Sequence, residues 1–139
     1  MEKNRVEQLV EKAKSLRLEG AECLVGMDMD EVCGAYNGIG PQFLGEKLRD
    51  GMTEILHVYE PAALIHDIRF DRSDGTRRSF DRANREFCAN CRKCANDAYA
   101  WWSWRRYRAY AVIRAMNGFV CADGGWKAWN DAHDARSGE

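Results

Sequence analysis

Proline is nearly missing from this chain. There are two, Pro41 and Pro61, in 139 residues. From Thr76 to Asn117 the sequence has neither proline nor glycine. A stretch that long without a helix breaker is free to form long helices. Long apolar runs are missing too: none approaches the roughly 20 residues that a membrane-spanning helix needs. Met1 to Arg5 leads into a charged stretch with no apolar h-region, so no secretory signal is expected. A cytoplasmic setting is then expected, with Cys23, Cys33, Cys88, Cys91, Cys94 and Cys121 as reduced thiols rather than disulfides. No internal repeat, low-complexity segment or second domain is visible, so residues 1–139 read as a single domain.

The material that is there suits a folded chain. Hydrophobic residues make up 45% and charged residues 31%, which is too apolar for a disordered polymer. A net charge of −1 conceals an asymmetry. Residues 1–68 carry 7 basic and 13 acidic side chains, whereas residues 69–108 carry 11 and 5. The basic middle segment suits an anionic lipid surface or a nucleic acid, or else a solvated face paired with the acidic half.

Helical periodicity dominates. Val6, Leu9, Val10, Ala13 and Leu16 place an amphipathic helix over residues 2–18, with Gly20 as its stop. Gly34, Gly38, Gly40, Gly45 and Gly51, with Pro41 among them, mark a loop. Pro61 suits the first turn of a helix running to about Phe70, and Ser73-Asp74-Gly75 reads as a turn. Phe80, Phe87, Cys91, Cys94, Ala98 and Trp101 form a helical stripe. One long helix ending at Asn117-Gly118, or two with a kink near Trp101–Trp104, is predicted, followed by a short aromatic tail. The expected fold class is all-α, with a pair of long antiparallel helices and a glycine loop.

A chemical constellation lies within residues 33–90. A hard cation such as calcium takes six to eight oxygen ligands, often backbone carbonyls plus a carboxylate. Tyr36-x-Gly38-x-Gly40 is a loop able to turn successive carbonyls inward, and Asp67 offers a carboxylate from the next helix. His66 beside it suits a general base acting on water. Such a base wants a partner on its other ring nitrogen. Asp81, one turn into the following helix, is the candidate.

These residues resemble the phospholipase A2 family, whose members carry Y-x-G-x-G, H-D-x-x-Y and a later helical aspartate. The segment from Glu60-Pro61 to His66-Asp67, with Asp81 following closely, is similar to the compact phospholipase domain of parvovirus capsids and to phage-encoded phospholipase A2-like proteins. The resemblance implies Ca2+ held by the carbonyls of Tyr36, Gly38 and Gly40 and by Asp67, with His66 as base and Asp81 orienting it. It implies hydrolysis of the sn-2 ester of glycerophospholipids at a membrane surface, by a phage or viral protein in a host cytoplasm or associated with a virion. The alternative it leaves is an inactive relative that binds a virion component or nucleic acid. The chain departs from the pattern in three places. The cysteines before the H-D pair are replaced by Ala62, Ala63 and Leu64, Phe70 stands for the tyrosine, and the span from Gly40 to His66 is longer.

Other signals have two readings. Cys88-x-x-Cys91-x-x-Cys94 has the spacing of zinc or iron–sulfur ligands, but at helical spacing the thiols read better as small apolar groups of the core stripe. His57 and His133 have no visible partner and read as surface residues. Residues 91–139 are a basic aromatic helix and tail. Trp101, Trp102, Trp104, Tyr107 and Tyr110, interleaved with Arg105, Arg106 and Arg108, suit a lipid interface or stacking on bases. The favoured expectation is that these aromatics close the core.

Overall fold

The computed structural model describes residues 2–36 and 54–138, and among these the chain is all-helical, with no strand. Helix α1 (Lys3–Ser15) buries Val6, Leu9, Val10 and Ala13 on one stripe. It ends short of the predicted residue 18, because Arg17 and Gly20 both take positive φ, 52° and 82°. A 3-10 turn over Ala21–Leu24 follows. Helix α2 (Met29–Ala35), which the sequence pattern did not reveal, starts at a capping box. Asp28 Oδ1 accepts from the Glu31 N–H at 2.9 Å, and Glu31 Oε2 accepts from the Asp28 N–H at 3.1 Å.

Helix α3 (Glu60–Asp71) begins as predicted, with Pro61 in its first turn where no N–H is needed. Pro61, Ala62, Ala63, Leu64, Ile65 and Ile68 are all buried. Apolar residues cover most of its circumference, with Asp67, Arg69 and Asp71 on the remainder, which places most of the helix within the core. Here α3 packs against α1, α2, the helix that follows it and the C-terminal helix, Asp123–Ser137.

Helix α4 (Arg77–Ala98) is capped by Thr76, whose Oγ1 accepts from the Ser79 N–H. It runs antiparallel to α3. Phe80 meets Phe70 near one end, Phe87 meets His66, and Cys94 lies by Ala62 near the other. Gly75 makes the turn between them. Its φ is +75°, and an added Cβ would stand 2.8 Å from the His133 ring. His133 is therefore no bare surface residue: its Nδ1 sits 3.1 Å from the Ser73 carbonyl. His57 is also partnered, by Arg5 and Glu60.

The region holds two helices, the second of the two predicted arrangements, but the break near Trp101–Trp104 is a reversal rather than a kink. The chain turns back at residues 99–103 into α5 (Trp104–Val120). Cys88 bonds Asn117 and Asn96 bonds Tyr110, which fixes the two helices as an antiparallel hairpin. Helix α5 runs through Gly118, where the sequence predicted its end. The tail is a helix too: α6 (Asp123–Ser137) lays Trp126 and Trp129 against Phe70, Phe80 and Ala83 as a small second core. The main core gathers the buried faces of α1 to α5.

Candidate functional site

His66 and Asp67 sit in the middle of α3, the most enclosed helix. The His66 ring is packed between Phe70 and Phe87, with centroids at 4.5 and 4.6 Å. Its Nε2 lies 2.8 Å from Asn84 Oδ1 on α4. Burial pushes the imidazole pKa down to about 4, while the Asn84 contact pulls the other way.

Asn84 is the residue that sequence reasoning missed. Asp81 was expected opposite His66, but it is exposed and pairs with Arg77 one turn back on its own helix, Nε to Oδ1 at 3.3 Å. The physical reason is register. Phe80 and Phe87 lie seven residues apart on the buried stripe, and the positions between them that share their face are 83 and 84, not 81. A polar residue in that gap was the available signal. Asn84 is 1% exposed, and both ends of its carboxamide are used.

Those two ends determine where the histidine proton lies. Asn84 Nδ2 donates to the Val120 carbonyl at 3.3 Å. A carbonyl only accepts, so this contact turns Oδ1 toward His66. Oδ1 in turn only accepts, so Nε2 carries the proton and Nδ1 keeps a lone pair. The Val120 carbonyl is free to do this because it ends α5, where the last carbonyls have no helical partner. Gly125 opposite leaves room for it: an added Cβ would stand 2.2 Å from that oxygen.

Phe70, where the resemblance leads one to expect a tyrosine, stacks on His66 and meets Trp129 edge-on at 5.0 Å. Its place in the second core explains an apolar ring here.

Of the expected calcium ligands, Tyr36 and Asp67 are described, while Gly38 and Gly40 lie outside the described residues. Tyr36 follows α2 and is 4% exposed. Its hydroxyl is buried without a hydrogen-bond partner among the described residues. Burial first, then the nearby carboxylates of Glu60 and Asp67, push its pKa up. The Tyr36 hydroxyl therefore lies within the field of the Asp67 carboxylate. Among the described residues, no three His, Cys, Asp or Glu side chains are grouped to hold a metal ion. Cys91 and Cys94 lie in the core instead, and burial raises both thiols.

No protein-family profile, curated protein or solved structure matches this chain.

Proposed function

We propose that this chain is a calcium-dependent phospholipase A2-like hydrolase cleaving the sn-2 ester of glycerophospholipids, with Asn84 rather than Asp81 orienting the base. The observation that carries the reading is the relay His66–Asn84–Val120. It holds the imidazole in one tautomer and leaves the lone pair on Nδ1, the atom that would take a proton from an attacking water. The ring is fixed by Phe70 and Phe87 as well as by the hydrogen bond, so little rotational freedom remains to be lost on reaction. Asp67, with the carbonyls of Tyr36, Gly38 and Gly40, would hold the calcium ion. Calcium bound there supplies a Lewis acid for the ester carbonyl.

A neutral carboxamide stabilises an imidazolium less than a carboxylate does. That favours a slow enzyme, and it is also the observation behind the second reading, a catalytically inactive relative that binds a virion component or nucleic acid. Fatty-acid release from mixed micelles separates them. The enzyme reading expects release that stops on chelation of calcium and falls at least 100-fold in His66→Gln. Release that persists in both conditions rejects this mechanism, and no release at any calcium concentration leaves the binding reading.

A further inference from the structure

The aromatic residues around the α4–α5 turn do not close the core. Trp101, Trp102, Trp104 and Tyr107 are 69, 73, 65 and 57% exposed. The contact of α5 with the core is made by smaller residues, Ala109, Val112, Ile113 and Met116. Four large rings left bare at one corner expose on the order of 600 Å² of mostly apolar surface. That is at the upper end of what a monomer leaves uncovered, and such patches mark binding sites.

The local sequence around the rings is one-sided in charge, and among the described residues the carboxylate that reaches it from elsewhere is Glu54, 3.9 Å from Arg105. From Ala98 to Ala122 the sequence carries Arg105, Arg106, Arg108 and Arg114 and no acidic residue. The bare face continues along α5 from Trp104 through Tyr107, Arg108, Ala111, Arg114 and Ala115. Aromatic rings beside arginines, with small residues between them, are what a helix lying in a headgroup layer presents. Indole keeps an N–H at the wet level while its ring enters the apolar one. Arg108 stacks on Trp104 with its Cζ 5.8 Å from the ring, so a cation is carried at the same depth as an indole. Tyr107 donates to the Trp101 carbonyl at 2.9 Å, tying the turn to the helix.

We propose that this corner and the outer face of α5 form a docking surface for an anionic phospholipid bilayer. The positive charge complements phosphatidylglycerol or phosphatidylserine headgroups. A single-stranded nucleic acid suits the surface less well. Trp101 and Trp102 stand edge to face at 89°, so they offer no pair of parallel faces for successive bases. Docking along α5 lays the helix flat, and its far end is Val120, which holds Asn84. The surface does not depend on hydrolysis and is testable without it.

The test is flotation of the full chain with vesicles of phosphatidylcholine alone or mixed with phosphatidylglycerol. Binding is expected only with the anionic lipid, weakening with salt and accompanied by a blue shift of tryptophan emission. Trp101→Ala/Trp102→Ala/Trp104→Ala is expected to keep the helical circular dichroism and bind at least 10-fold more weakly. Quenching of the native tryptophans by bromine-labelled lipid gives a second reading that needs no variant. No flotation, equal flotation of the triple variant, or no quenching overturns the proposal. So does tighter binding to single-stranded DNA that displaces the vesicles, or a dimer abolished by the triple substitution. A chain that floats but releases no fatty acid retains the docking surface and removes the esterase. One that hydrolyses dispersed short-chain phospholipid without floating does the reverse.

Discussion

The carboxamide of Asn90 grips Glu19 by both backbone groups. Oδ1 accepts from the Glu19 N–H at 2.7 Å, and Nδ2 donates to the Glu19 carbonyl at 2.8 Å. Asn90 is fully buried on α4, so the pair imitates one rung of a ladder between a helix and the loop after α1. Lys93 adds a third tie, to the Arg17 carbonyl at 2.9 Å. Asn90→Leu leaves two backbone groups unpaired and is expected to lower stability by about 2–4 kcal/mol. Urea unfolding followed by circular dichroism measures this, and a loss under about 0.5 kcal/mol contradicts the role given to Asn90.

Asn84 and Asp81 make opposite predictions. Asn84→Leu removes the acceptor from His66 Nε2 and is expected to reduce fatty-acid release at least 10-fold. Asn84→Asp gives the imidazole a charged partner and is expected to raise release about 10-fold, equivalent to about 1.4 kcal/mol. Asp81→Asn is expected to change release less than about twofold, because its partner is an exposed arginine on its own helix. A large loss in Asp81→Asn with none in Asn84→Leu returns the orienting role to Asp81.

The register explains why the site was only partly legible. His66, Asp67 and the helix that carries them followed from Pro61 and the apolar run. The partner did not, because asparagine and aspartate both read as surface residues until the stripe is laid on the α3–α4 contact. Helix α6 was read only as a short aromatic tail because Gly124-Gly125 are poor helix formers; packing of Trp129 and Trp126 outweighs that propensity. The exposure of Trp101 and Trp102 was unreadable, since composition counts a tryptophan as core material wherever the chain places it.

The turn before α4 responds to acid. The Ser79 hydroxyl, then the Thr76 N–H and hydroxyl, hold the Asp74 pKa down at about 2, below its ordinary 3.8. A carboxylate depressed in the folded state contributes stability that is full above pH ~4 and lost as pH falls toward ~2. Asp74→Ala is expected to flatten the acid limb of the stability profile within that window and leave its shape above pH ~5 unchanged. An unaltered acid limb in thermal melts at pH ~2–4 disproves the linkage.

The thiols divide by burial. Cys91 and Cys94 are buried and Cys121 is exposed. Burial pushes Cys88 up to about 11 and Cys94 up to about 12. Only the thiolate is alkylated quickly. Peptide mapping after iodoacetamide at neutral pH is expected to find Cys121 labelled first, and Cys91 and Cys94 labelled only in urea. Rapid native labelling of Cys91 contradicts this placement.

Gly125→Ala tests the relay from a distance. Its new methyl collides with the Val120 carbonyl, and backbone has little room to yield. The expected result is a loss of about 1–3 kcal/mol in stability, together with a fall in fatty-acid release. In the nuclear magnetic resonance spectrum of the imidazole nitrogens, the Nε2-protonated pattern of the wild type is expected to become mixed. An unchanged pattern shows that Val120 does not direct the carboxamide.

The burial of most of α3 has a consequence for how durable the site is. Loops and termini open locally many times for each opening of a core helix. His66 sits on a helix that packs against four others, which must separate before its backbone is exposed. Its amide is expected to exchange hydrogen only when the whole molecule unfolds, so the site has no private route to disorder. Whatever preserves the fold preserves the placement of this histidine, and damage confined to the surface leaves it in position.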